Sequence, residues 1–134
     1  MKLTIPSDYA ASRDVQKTIL DEVARCNYAP GAFFGIKLAL EEAMINAIKH
    51  GNKLDPAKHV HLDYTVTPAK FEITIEDEGP GFDLSTVPDP TAEENLEKCS
   101  GRGILLIRAY MTQSEYSNQG RRLHMLKLND TPRP

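Results

Sequence analysis

The sequence predicts a two-layer α/β sandwich, with a mostly antiparallel sheet and its helices gathered on one face. Three features of the 134-residue chain lead there. Strand-like runs come in adjacent pairs joined by short turns, and strands joined in that way pair antiparallel. Helical patterns fall between those pairs, which segregates the helices into one layer. A hydrophobic fraction of 40% supplies enough apolar surface for one core.

Residues 2–5 alternate and are stopped by Pro6, the pattern of an edge strand. Between about residues 9 and 27, Val15, Ile19, Leu20 and Val23 recur at helical spacing, with Ser7 or Asp8 as N-cap. Pro30-Gly31 breaks this helix and precedes a second one, which runs to about His50 and is stopped by Gly51-Asn52. Its Ile, Leu, Ala and Met content covers most of its surface, so it is expected to be buried on more than one side. Residues 60–66 and 71–75 alternate as strands around a Pro68-Ala69 turn. A glycine-bearing turn follows at 77–83, then a polar stretch at 84–100 whose length points to function. Gly101-Arg102-Gly103 starts a third helix that reaches about Met111. Two more strands, 114–117 and 123–128, flank Asn118-Gln119-Gly120, and residues 129–134 form a tail expected to fray. One domain spanning 1–134 accounts for the whole pattern.

Composition narrows the function. The net charge of −3 gives no basic stripe, so direct nucleic-acid binding is not expected. Cys26 and Cys99 stand far apart without metal-ligand spacing, which supports neither a disulfide framework nor a zinc site. The N-terminus lacks a signal-peptide core, and no apolar run approaches the ~20 residues that span a bilayer. A reduced, cytoplasmic protein without membrane attachment is the expectation.

Three constellations carry chemistry. On the second helix, Glu42, Asn46 and Lys49 follow i, i+4, i+7 spacing and line one stripe with roughly 5–6 Å between neighbours. The Asn46 carboxamide oxygen suits Mg²⁺, Lys49 suits a phosphate, and Glu42 suits a base that takes a proton from an attacking hydroxyl. The plainer reading, a solvated face with one tolerated amide, has comparable weight on this helix alone. After the second hairpin strand comes Asp77-Glu78-Gly79-Pro80-Gly81, where two glycines allow a tight turn and close backbone approach to a ligand. Asp77 is placed to accept a hydrogen bond from an exocyclic amine; the plainer reading is an exposed acidic turn. Ser100-Gly101-Arg102-Gly103 opens a helix, whose free N–H groups and dipole attract anions, with Arg102 or Lys98 adding charge. Simple N-capping by Ser100 is the alternative there.

Taken together, Glu42-x-x-x-Asn46, Asp77-x-Gly79-x-Gly81 and Gly101-x-Gly103 resemble the motifs of the Bergerat-fold (GHKL) ATPases. Within that superfamily the runs around Glu42–His50 and Asp77–Asp83 look most like the anti-sigma-factor serine/threonine kinases. The resemblance implies that ATP and Mg²⁺ are the cofactors, with Asn46 on Mg²⁺ and Glu42 as catalytic base. It implies that Asp77 holds the adenine amine, that Gly79 and Gly81 shape its pocket, and that 84–100 is the ATP lid. Residues 101–103 would bind phosphate. It further implies phosphorylation of a STAS-domain anti-anti-sigma protein, sequestration of an RNA polymerase sigma factor, and a homodimer. Two positions depart from the family pattern. Gly120-Arg121 stands where many members carry Gly-Thr in support of the aspartate, and Cys99 stands where some carry an arginine.

The rival from another class is a regulatory module that grips ATP or ADP without transferring phosphate. A histidine-kinase catalytic domain is disfavoured, because His50, His59, His61 and His124 have no phosphoacceptor context.

Overall fold

The computed structural model describes residues 1–80 and 101–129, apart from the side chains of 101–104. In chain order it contains β1 (Lys2–Pro6), α1 (Tyr9–Ala24), α2 (Pro30–Ile45) and a π-helical segment (Asn46–Gly51). These are followed by β2 (His59–Val66), β3 (Lys70–Glu76), α3 (Gly101–Tyr110), β4 (Gln113–Ser117) and β5 (Arg122–Leu128). The five strands make one sheet in the order β1-β2-β3-β5-β4, and each neighbouring pair is antiparallel. The α/β sandwich expected from the sequence is the fold observed.

Alternation decides which face of the sheet is covered. Val60, Leu62 and Tyr64 of β2, Phe71, Ile73 and Ile75 of β3, and Leu123 and Met125 of β5 are all buried. They pack with Ile19 and Val23 of α1, with Ile36, Leu40 and Met44 of α2, and with Ile107 of α3. The residues between them on each strand face away, so the helices occupy one side. Register then aligns Leu3, Leu62, Ile75, Leu123 and Tyr116 in one row across all five strands. No helix among the described residues is long and apolar enough to cross a membrane.

Local chemistry sets the ends of the elements. Asp8 caps α1, its carboxylate accepting the Ala10 N–H at 2.9 Å. Pro30 sits in the first turn of α2, where its missing N–H would have found no helical partner in any case. Gly35 leaves room for the Tyr110 ring, the nearest atom of which lies 3.0 Å from where a Cβ would stand. α2 and α3 pack closely there for lack of one methyl group.

Three boundaries differ from the sequence expectation. α1 ends at Ala24 rather than near residue 27, and Asn27 turns the chain with a φ of 57°. The second helix is α-helical only to Ile45; beyond it the turns widen, and the Asn52 N–H reaches back five residues to the Ala47 carbonyl at 2.8 Å. Asn129 is tied down rather than frayed, its backbone N–H donating to Ala69 O and its side chain to Pro68 O, both at 2.9 Å. Residues 130–134 lie outside the described part.

Asn52, read from the sequence only as part of a helix stop, is fully buried. Its amide nitrogen donates to Ser7 Oγ at 2.8 Å and to His59 O at 2.9 Å, and its oxygen accepts the Glu78 N–H at 2.7 Å. One carboxamide therefore joins the end of the helix to the residue after β1, the start of β2 and the loop after β3. A buried polar group with its partners satisfied costs little, whereas its removal leaves several groups unpaired. We predict that Asn52→Ala lowers unfolding free energy by about 3 kcal/mol in urea titrations. A midpoint unchanged from the parent chain would refute that role.

Candidate functional site

The site forms where the π-helical segment meets the loop leaving β3. The wider turn carries Gly51 against Asp77: a Cβ on Gly51 would collide with the Asp77 carboxylate, and one on Gly79 would collide with the Gly51 carbonyl. Both glycines are required by close approach within the protein itself. The Gly79 N–H donates to Asp77 Oδ1 at 2.8 Å, closing a small turn that fixes the carboxylate. The Asp77 N–H in turn donates to the Arg121 carbonyl at 2.9 Å, which ties the loop to the start of β5.

A cavity of about 240 Å³ opens beside this junction. Its apolar walls come from Ala43 and Ala47 of the long helix and from Ile75 and Leu123 of the sheet. Asn46, His50, Asp77, Tyr116 and Arg121 add polar groups. Ile75, Leu123 and Tyr116 belong to the cross-strand row described above, so the core continues directly into the cavity wall. Apolar walls with a few fixed polar groups suit a flat, partly polar ligand of modest size.

The polar groups of the lining differ in state. Asp77 is only 8% exposed. Burial pushes its carboxyl up from the usual range, while the Gly79 N–H and the Arg121 guanidinium pull it down. Asn46 donates from Nδ2 to the Tyr116 hydroxyl at 3.4 Å, whereas its Oδ1 is buried without a hydrogen-bond partner. A buried carboxamide oxygen without a partner, on a residue that lines the cavity, is an acceptor left for a donor or a hard cation. Burial, with Lys49 next to it in sequence, lowers the pKa of His50, so this ring enters the cavity wall uncharged near neutral pH.

The expected site residues divide into three groups. Asn46, Asp77 and Gly79 meet at the junction and cavity. Glu42 is half-buried on α2, one turn before Asn46, whereas Lys49 is exposed and is not among the lining residues. Lys49 was expected on the Glu42–Asn46 stripe because α-helical spacing was assumed; the widened turns after Ile45 bring His50 to the cavity instead. Gly81, Ser100, Cys99 and the 84–100 lid lie outside the described residues, as do the side chains of Gly101, Arg102 and Gly103. The backbone at Gly101 does begin a helix, α3.

Sequence reasoning missed His50, Gly51, Asn52, Lys53 and Tyr116 as parts of the site. For Gly51 and Asn52 the signal was present but was spent on the helix stop. Tyr116 had no local signal, because only the pairing of β4 with β5 brings it opposite Leu123.

We predict that Gly79→Ala destabilises the chain by about 1–3 kcal/mol, the usual range for forced overpacking, as read by urea denaturation. A variant as stable as the parent would mean that the Gly51–Gly79 contact is slack.

Comparison with known proteins agrees with this geometry. Residues 5–127 match the family model of the histidine kinase-like ATPase domain. The anti-sigma F factor of Clostridium perfringens (strain SM101 / Type A) is 35% identical over 102 residues, 72% of this chain and 72% of the relative. The serine-protein kinase RsbW of Oceanobacillus iheyensis is 29% identical over 126 residues, 89% of this chain and 78% of the relative. The protein of the same name in Listeria monocytogenes serovar 1/2a is 26% identical over 111 residues, 78% and 71% of the two chains. A cavity with a buried carboxylate and an unpaired carboxamide, on a sheet of this topology, is thus set in an ATP-binding scaffold: the chain belongs to the histidine kinase-like (GHKL) ATPase family, among its anti-sigma serine/threonine protein kinases.

Proposed function

We propose that the chain is a Mg²⁺-dependent protein kinase that phosphorylates a serine or threonine of a STAS-domain partner and sequesters an RNA polymerase sigma factor. In this reading it works as a homodimer in the cytoplasm. The observation that carries the nucleotide part is the polarity of the cavity. Among its lining residues, Asn46 has a carboxamide oxygen buried without a partner and Asp77 has a buried carboxylate whose loop is fixed. The names of the relatives support the sigma-factor and serine-kinase parts.

Each group then has a task set by its chemistry. Asp77 accepts a hydrogen bond from the exocyclic amine of adenine, and Ala43, Ala47, Ile75 and Leu123 cover the ring with apolar surface. Gly79 and Gly81 shape the loop around it. Asn46 Oδ1 is a hard oxygen ligand and fits Mg²⁺, which when bound neutralises charge on the phosphate oxygens. The helix start at Gly101 offers its N–H groups to phosphate, with Ser100, Arg102 and Gly103 as further donors. Glu42, half-buried one turn before Asn46, takes the proton of the incoming hydroxyl. The hydroxyl oxygen bonds the γ-phosphorus as the bond to the bridging oxygen breaks, and ADP leaves.

Two tests follow. ATP with Mg²⁺ at a hundred times its Kd stabilises a folded binder by about 2.7 kcal/mol, so we predict a clear rise in melting temperature that Asn46→Ala largely removes. No shift at millimolar ATP would end the ATP-site reading. We also predict that Glu42→Gln keeps this shift yet slows transfer to the STAS partner by about 10²–10⁴-fold, measured with labelled ATP. Transfer at the parental rate would take the base role from Glu42.

A further inference from the structure

Arg121 enters the cavity wall from the turn between β4 and β5. Its guanidinium reaches across to residues 42 and 41 positions earlier in the sequence. Nε donates to the Gly79 carbonyl at 2.7 Å and Nη2 to the Pro80 carbonyl at 3.0 Å. From the same fork, Nη1 donates to Gln119 Oε1 at 3.2 Å and reaches the Asn118 carbonyl at 3.5 Å. The planar fork thus holds the loop after β3 on one edge and its own turn on the other, a geometry that an ammonium cannot reproduce.

The turn itself needs holding. Asn118 and Gln119 have φ values of 51° and 57°, in the left-handed region that side-chain-bearing residues disfavour, Gln more than Asn. Gly120 follows at 82°. Such a backbone persists where its surroundings over-determine it. Besides Arg121, the turn is held by Asn118 Nδ2, which donates to Glu76 Oε2 at 2.8 Å. Arg121 thus engages the Gly79 and Pro80 carbonyls next to Asp77, whose residue lines the cavity.

We propose that Arg121 is the positioning residue for base selection: by clamping the Gly79–Pro80 carbonyls it fixes the Asp77 carboxylate where it accepts from an amine-bearing purine and rejects an oxo-bearing one. This rests on the nucleotide reading above. Arg121 acts on the ligand through Asp77, and it does so in two separable ways. Its fork sets the position of the loop. Its charge also opposes the effect of burial on Asp77, alongside the Gly79 N–H and Lys58, and against Glu76. His50, Lys53 and Tyr116 are the other titratable residues among the described residues of the cavity lining.

The sign of the pH effect follows. An amine-accepting Asp77 must be ionised, and burial has raised its pKa above the ordinary carboxylate range. Affinity for ATP is therefore present above that raised value and is lost as pH falls through it. Removing the Arg121 charge takes away a lowering influence, so the acid limb moves to higher pH.

The experiment measures Kd for ATP and GTP against pH, with Mg²⁺, for the full chain and for Arg121→Ala and Arg121→Lys. Melting temperature without nucleotide confirms that each variant is folded. In Arg121→Ala the ATP-over-GTP ratio is expected to fall about tenfold, the size of one charge-assisted hydrogen bond, and the acid limb to shift upward. Arg121→Lys, which keeps the charge and loses the fork, is expected to keep the parental acid limb and still lose selectivity. It also serves if the alanine variant does not fold. A parental ratio in either folded variant overturns the inference while leaving ATP binding standing. Failure of the unaltered chain to bind ATP overturns both.

Discussion

The backbone contact between Gly51 and Gly79 governs most of what surrounds it. Neither position tolerates a Cβ, because the Gly51 carbonyl and the Asp77 carboxylate already occupy that space. This approach sets where the long helix must widen, since only the π-helical turns from Asn46 to Gly51 bring its end to the loop. It also sets the orientation of Asp77, whose carboxylate is pinned by the Gly79 N–H. The cavity is the space left between the last helical turns, the sheet and this junction. Side chains line the cavity, but two missing side chains determine its position.

Around that contact the structure spends polar groups sparingly and satisfies them. Asn52 is buried with three partners, and Ser7, one of those partners, donates in turn to the Lys58 carbonyl at 2.8 Å. Glu78 accepts from the His59 N–H and lies 2.8 Å from His61 Nε2, so its carboxylate is held below the usual range by that imidazole first and the backbone donor second. Among the described residues three buried side-chain oxygens lack a hydrogen-bond partner, on Glu22, Asn46 and Asn129, and of these residues Asn46 is the one in the cavity lining. Unsatisfied buried groups are rare enough in folded proteins that one on a cavity-lining residue calls for a ligand-based account.

The two polar groups are held in different ways. Asn46 opens the π-helical segment that continues a helix buried in the apolar core. Asp77 lies on a loop, held by hydrogen bonds from a glycine and an arginine and by a turn with three consecutive left-handed residues. Loops carried on a rigid scaffold are where specificity is most readily altered. The departure from the family pattern at Arg121 falls on this loop.

Much of this protein was legible in one dimension. Period-2 alternation identified the strands at 2–5, 60–66 and 71–75, because half-buried strands must alternate, and the turn residues Asn118-Gln119-Gly120 separated the two closing strands at 114–117 and 123–128. Pro6, Pro30 and the glycine-bearing turns marked where elements stop. Glu42, Asn46 and Asp77 stood out as polar residues in settings where polarity needs a reason. Other features depended on contacts that spacing along the chain does not encode. The widening of the helix after Ile45 follows from the Gly51–Gly79 approach across 28 residues, and it moved His50 to the cavity and left Lys49 exposed. Asn52 looked like a helix stop because its partners, Ser7, His59 and Glu78, arrive from three other segments. Arg121 read as a missing threonine until the fold set its guanidinium against Gly79 and Pro80. Local periodicity and turn chemistry determined the elements and the residue types that carry chemistry, because those depend on neighbours along the chain. Tertiary structure alone decided which of those residues meet, because close approach and hydrogen-bond pairing are properties of segments brought together from afar.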